Sequence, residues 1–249
     1  MSGAPQALEL DVGVFRVAAT FLFILSIPVA LFTTNIRFVA NEPRVYRYAI
    51  DQHDAVRTTG IERPELIRAS AEIREYFNND QRTLNIQVDD NGRQVSLFNA
   101  RETAHMEDVK NRFQAVNRAQ EFSLLYALTY IAVVVLWSRE VSTRAMAVNV
   151  AIGSVVCLAV IGIGVGIGLA GFEGAWEDFH QIMFSNDFWL LNPAQDHLIQ
   201  MFPPAFWESI VFFIGTMIAA EAVFLLILSG IYIGASRHEA AQRLRPRYA

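Results

Sequence analysis

The chain has one cysteine, one lysine and no Gly-x-Ser-x-Gly motif. Cys157 alone can form no internal disulfide and reads as a small core residue, so it points to no redox compartment. The missing nucleophile elbow, with no activated Ser or Cys beside the histidines discussed below, argues against a serine-type hydrolase. Because Lys110 is the single lysine, positive charge rests on arginine. Neither residue type occurs between Gly171 and Pro204. What the chain has in excess is hydrophobicity: 53% of its residues are apolar. Yet the stretch from Asn41 to Glu121 is as charged as a soluble protein, and both facts hold together if the chain is partitioned between lipid and water.

Windows of about 20 residues predict membrane spans at about 17–34, 122–137, 145–170 and 205–233. The second run is short, but Tyr130 and Trp137 as interfacial aromatics and helical flanks let it cross. The first run is longer than the core of a signal peptide, with no small-x-small cleavage site after Leu31, and reads as an uncleaved anchor. Arginine sets the topology. The connection from Ser138 to Arg144 and the tail from Arg237 to Arg247 carry excess positive charge, which predicts both on the cytoplasmic side. Segments 41–121 and 171–204 are then extracytoplasmic. The fold class expected is an all-α integral membrane protein, a single membrane domain over 1–249, with four transmembrane helices and an extracytoplasmic insertion holding helices and one β-hairpin.

Within the insertion, Pro64 opens an amphipathic helix in which Leu66, Ile67, Ile73, Tyr76 and Phe77 recur at helical spacing, and Asn78-Asn79-Asp80 ends it. Leu84, Ile86 and Val88 alternate before Asp90-Asn91-Gly92, and Val95 and Leu97 resume the alternation, which predicts a hairpin. Asn99 is a candidate cap for a helix running on into the second span. In the third span, Gly162, Gly164, Gly166 and Gly168 lie on two adjacent small-residue faces and predict close helix approach. Phe172, Trp176, Phe179, Phe184, Phe188 and Trp189 fit either an interfacial belt or a lipid-binding collar. Asn192-Pro193 reads as a helix start. Glu221, inside the fourth span, is either glue between helices or functional.

Two Glu-x-x-His motifs flank the spans, Glu102 to His105 and Glu177 to His180. Residues three apart share a helical face, and the predicted topology brings both motifs to the extracytoplasmic side. An imidazole can take and return a proton near neutral pH, and a carboxylate neighbour can fix its tautomer. Glu102 and Asp108 each lie three residues from His105, while Asn99 and Arg101 offer donors to an oxyanion. His53, His197 and His238 need no functional account. Paired Glu-x-x-His motifs also belong to di-iron carboxylate bundles, so a metal-dependent membrane enzyme using Glu208 and Glu221 stays open, as does a non-catalytic membrane scaffold.

The runs Leu97-Phe98-Asn99-x-Arg101-Glu102-x-x-His105-Met106-x-Asp108-Val109-Lys110, Phe179-His180-x-x-x-Phe184-x-Asn186-Asp187-x-Trp189-x-Leu191 and Asp196-x-Leu198-Ile199-x-Met201-Phe202-Pro203 resemble the bacterial four-helix membrane family that includes the Lit-type lipoprotein intramolecular transacylases. The resemblance extends over essentially the whole chain. It implies a cell-membrane acyltransferase with its active site facing outward, acting on diacylglyceryl-modified lipoproteins among membrane lipid. The sn-2 acyl chain would move to the α-amine of the terminal cysteine. Nucleophile and ester share one molecule, so no cofactor, metal or nucleic-acid partner is expected. His105 and His180 are then the expected catalytic residues and Glu102 and Asp108 their support. Asn99, Arg101, Asn186, Asp187 and Trp189 are the expected substrate contacts.

Overall fold

The computed structural model describes residues 4–90, 92–137 and 140–243. Asn91 of the expected turn, Ser138 and Arg139 of the short connection, and Arg245 and Arg247 of the tail lie outside the described residues. Four helices are long and apolar enough to cross a membrane: Gly13–Asn41, Ala100–Leu136, Thr143–Met183 and Pro204–His238. They belong to α1 (Ala4–Asn41), α5 (Ala100–Trp137), α6 (Glu140–Met183) and α8 (Pro204–Arg243). At about 1.5 Å per residue, the 38 residues of α5 far exceed a hydrocarbon layer of about 30 Å. One continuous helix thus has length enough for the span expected from Phe122 and for the charged residues before it. The chain is a multi-pass membrane protein.

Two compact units share these helices. One comprises residues up to Thr33, Ala119–Gly162 and the chain from Met217 on. Tyr130, expected at the lipid interface, here serves helix packing instead: its ring stacks on Phe23 at 4.2 Å and its hydroxyl lies 3.2 Å from that of Thr20. Tyr126 adds a hydrogen bond to the carbonyl of Ala19 at 2.8 Å. Close helix approach falls at Gly153, where an added Cβ would sit 2.9 Å from the carbonyl oxygen of Ile24 and 2.7 Å from Ile27. Of the expected run, a Cβ added at Gly162, Gly164 or Gly166 would meet no neighbouring atom of the described residues within 4 Å, whereas one added at Gly168 would sit 3.3 Å from the Phe212 ring, so only Gly168 is closely approached. Cys157 is buried, as a small core residue should be.

The other unit comprises Thr34–Arg118 and Ile163–Thr216. After α1, Glu42 caps α2 (Pro43–Gln52), an amphipathic helix that buries Tyr46, Ala49 and Ile50. A short α3 (Ala55–Thr59) follows, and then α4 (Arg63–Asn78), which buries Leu66, Ala69, Ile73 and Tyr76 as its periodicity requires. Strands β1 (Gln87–Asp90) and β2 (Arg93–Ser96) pair antiparallel with Val88 opposite Val95. Gly92, at φ 84°, supplies the left-handed turn residue. Glu65 of α4 accepts the backbone N–H of Asp89 at 3.0 Å, which ties the hairpin to the helix. Lys110 is buried; its ammonium donates to Asn79 Oδ1 at 3.0 Å and lies over the Tyr76 ring. That bond fastens α5 to the end of α4.

Helix α6 changes course at Gly171, whose φ of 155° and ψ of 98° are not helical. The segment bearing His180 thus has an axis distinct from that of the helix before Gly171. The helix expected at Asn192-Pro193 does not form. Asn192 Oδ1 accepts the N–H of Ala194 and its carbonyl accepts those of Gln195 and Asp196, making a turn, and α7 (His197–Met201) starts only afterwards.

Candidate active site

The first turn of α5 is a reciprocal cap. Asn99 Oδ1 accepts the N–H groups of Arg101 at 2.9 Å and Glu102 at 3.1 Å, while Glu102 Oε2 accepts the N–H of Asn99 at 2.7 Å. Glu102 Oε1 takes the N–H of Leu198 at 2.6 Å. Both oxygens of this almost fully buried carboxylate are therefore spent on backbone donors, one at each of two helix starts, where a negative charge is also favoured. Expected to orient His105, Glu102 instead joins α5 to α7. Burial still pushes its pKa above the usual carboxylate range, partly opposed by those two hydrogen bonds.

Asn99 has a similar structural place. Its amide donates to Asp196 Oδ1 at 2.7 Å, and Asp196 Oδ2 accepts the N–H of Asn192 at 2.6 Å. Asp196 is buried, and the sequence reading, which quoted it only within a resembling run, gave it no role, because its partner is 97 residues away. His197 Nδ1 bonds the carbonyl of Leu97 at 2.6 Å, closing the same knot.

One turn further along α5, His105 is 7% exposed and its Nδ1 has no hydrogen-bond partner. Its ring centroid lies 5.9 Å from that of His180. Phe184 meets His105 edge-on at 5.1 Å and lies against His180 at 5.7 Å. Trp176 abuts His180 at 4.7 Å and Trp189 covers it at 5.1 Å. These rings keep water from both imidazoles, a use that neither sequence reading of the aromatic collar contained. Trp176 itself stacks on Phe172, Phe179 and Trp207 at 5.7, 5.3 and 5.2 Å.

His105 is consequently hard to charge: burial, then the neighbouring His180, pull its pKa down to about 4, with Asp108 opposing. Burial also lowers His180, while the bond to Trp176 acts the other way. Nδ1 of His180 lies 2.7 Å from the carbonyl oxygen of Trp176, which can only accept. That assigns the proton of neutral His180 to Nδ1 and leaves its lone pair on Nε2.

The remaining expected residues divide. Asp108 accepts a hydrogen bond from Asn186 Nδ2 at 2.8 Å, and Asn186 Oδ1 takes the N–H of Phe188. Arg101 is exposed and donates through Nη1 to the carbonyl of Leu190 at 3.1 Å, next to Trp189. Asp187 is exposed, and its carbonyl accepts the N–H of Leu190. The loop from Phe184 to Asp196 is thus held to α5 at three points. Glu177 is exposed and takes only a 3.3 Å bond from Gln181. Among the described residues no three His, Cys, Asp or Glu side chains gather to hold a metal ion.

This fold has known counterparts. The membrane-integral lipoprotein intramolecular transacylase Lit from Bacillus cereus, solved in meso, superposes with a TM-score of 0.70 at 19% identity, over 91% of this chain and 99% of that one. A variant of it with one histidine replaced by arginine gives 0.71 at 18% identity over 95% and 100%. The corresponding alanine variant gives 0.71 at 18% over 93% and 99%. No curated protein sequence matches the chain. At the level of sequence, the family model described as lipoprotein intramolecular transacylase Lit matches residues 21–207, which take in both histidine motifs, the second and third spans and most of the first. The chain is a member of the lipoprotein intramolecular transacylase Lit family, a family of enzymes.

Proposed function

We propose that this chain transfers the sn-2 acyl chain of a diacylglyceryl-modified lipoprotein to the α-amine of its N-terminal cysteine, leaving an N-acyl, S-monoacylglyceryl product. The observation that carries this reading is the pair of buried imidazoles with centroids 5.9 Å apart, walled by Phe184, Trp176 and Trp189. Family membership supplies the reaction class.

The chemistry requires proton movement and proximity, and no enzyme nucleophile. An α-amine has a pKa of about 7.7–8.0, so about a tenth or more is neutral at pH 7. The neutral nitrogen attacks the ester carbonyl to form a tetrahedral adduct with positive nitrogen and negative oxygen. His105 takes the proton from nitrogen. Because its own pKa sits near 4, the imidazolium gives that proton up readily to the glycerol oxygen as the C–O bond breaks. His180, with Nε2 as its lone-pair position, serves as second proton carrier. Held in one substrate, amine and ester react at high effective concentration. Arg101 offers its remaining N–H groups to substrate carbonyls, Asp187 and Trp189 line the approach, and Asn99 and Glu102 hold the helix start.

The short connection between the second and third spans means that both histidine motifs emerge on one side, which we assign to the outer face of the bacterial cell membrane. A periplasmic reporter inserted at the hairpin turn should be active, and a silent one would reverse the assignment. Substrate and product have equal mass. The direct test is tandem mass spectrometry of a synthetic diacylglyceryl lipopeptide incubated with the purified chain: the acyl group should appear on nitrogen, and an unchanged fragmentation pattern would refute the reading.

A further inference from the structure

Of the carboxylates about the start of α5, Glu102 and Asp196 have both oxygens occupied by hydrogen bonds from the chain itself. Asp108 differs. Its Oδ2 accepts from Asn186, which fixes the group, and Oδ1 has no hydrogen-bond donor among the described residues. No arginine or lysine pairs with it there. Lys110, the nearest cation along the helix, is turned to Asn79, Gln81 and the Tyr76 ring. Arg101 is bound at Leu190.

Beside this half-satisfied anion is a second unmet group. His105, three residues away and so on the same helical face, keeps a buried Nδ1 without any donor or acceptor. The open carboxylate oxygen of Asp108 and, in the tautomer that carries its proton on Nε2, the unpartnered Nδ1 of His105 are two acceptors complementary to a ligand group with several N–H donors and positive charge.

We propose that Asp108 is the receptor for the α-ammonium of the lipid-modified N-terminal cysteine, with His105 as the adjoining acceptor. The inference rests on the transacylase reading and adds what it lacks, a basis for choosing free N-termini over blocked ones. Asp108 holds the ammonium through Oδ1 before reaction. It then stands beside the nitrogen when the tetrahedral adduct carries positive charge there, so its effect extends to the transition state. The bound ammonium first releases one proton to solvent and becomes the attacking neutral amine; the proton that the adduct nitrogen then sheds passes to His105 and on to the glycerol oxygen, and Asp108 takes neither. A primary ammonium also occurs on phosphatidylethanolamine, and the test separates the two sources.

The probe is a diacylglyceryl lipopeptide with ether links in place of esters, which cannot react, offered to the full chain in nanodiscs of phosphatidylcholine with its amine free or acetylated. Wild type should bind the free amine roughly 10- to 100-fold more tightly, the value of one charge-assisted hydrogen bond. Asp108→Asn should bind both forms alike at the acetylated probe's affinity, which also reports that the variant is folded. Asp108→Glu should regain part of the preference. A preference that persists in Asp108→Asn is steric and overturns the proposal, as does equal binding of both probes by wild type. Asp108-dependent displacement of the probe by phosphatidylethanolamine would move the site to the lipid headgroup and overturn it too. If wild type binds neither probe, the transacylase reading itself fails, an outcome distinct from the others.

Discussion

The two Glu-x-x-His motifs have identical spacing and different physics. Glu102 is 1% exposed, and its oxygens hold the backbones of Asn99 and Leu198, whereas Glu177 stands in the open with one long bond to Gln181. His180 has its Nδ1 fixed by the carbonyl of Trp176, one helical turn back; His105 has no partner at Nδ1 among the described residues. In neither motif does the glutamate bond its own histidine. Spacing of three assigns a face, but partners from other elements decide what each group does on it. The shared motif therefore marks a site without stating its mechanism.

The strongest break in this comparison is at His180. His180→Ala should lower transacylation of a synthetic lipopeptide by about 10²- to 10⁴-fold, the usual range for a lost proton carrier, while the purified variant keeps its wild-type helical content. Activity within tenfold of wild type would reduce His180 to a packing residue.

His105 should also leave a mark on stability. Its pKa is about 4 in the folded chain against 6.5 for a free imidazole, so the unfolded chain binds more protons between those values and stability rises with pH there. Full stability is present above about 6.5 and is lost as pH falls toward 4, by about 3 kcal/mol from this residue alone. Denaturant melts of wild type and His105→Gln should diverge in that window and run parallel above it. Parallel curves throughout would contradict a buried, neutral His105.

Next in size is Glu102. Glu102→Ala leaves the N–H groups of Asn99 and Leu198 without acceptors, at about 1–3 kcal/mol for each donor left buried and unpaired. Glu102→Gln keeps an acceptor oxygen and should cost less. The melting temperature checks both. Equal, negligible effects would mean that the junction of α5 and α7 does not depend on this carboxylate.

Much of this arrangement was legible in the sequence because it is local. Four spans follow from hydropathy, α4 from the recurrence of Leu66, Ile73 and Tyr76, the hairpin from alternation about Asp90 and Gly92, and the Asn99 cap from its place before Glu102. What escaped is long-range. Nothing near Glu102 announces Leu198, and nothing near Asn99 announces Asp196. Of the glycine ladder from Gly162 to Gly168 only Gly168 is closely approached, and the tighter contact is at Gly153, since close approach depends on what a neighbouring helix presents, here the backbone of Ile24. Asn192-Pro193 looked like a helix start, but the carboxylate of Asp196 takes the N–H of Asn192 and holds the chain in a turn.

The smallest expected effect completes the comparison. Glu177→Ala should change stability by no more than about 0.5 kcal/mol, as surface substitutions do, and leave lipopeptide conversion at the wild-type rate. A large loss there would restore the symmetric, metal-type reading of the two motifs, as would inhibition of wild type by EDTA with rescue by a transition metal.

The most direct measurement of the central claim, that His105 moves the proton, is tandem mass spectrometry of lipoprotein N-termini from cells expressing His105→Gln in place of the wild-type chain. Glutamine keeps the approximate size and hydrogen-bonding capacity of histidine but cannot carry a proton. Cells with the wild-type chain should hold N-acyl, S-monoacylglyceryl termini, and cells with the variant, at equal protein level in the membrane, only diacylglyceryl termini with free amines. Full conversion by the variant would contradict the account.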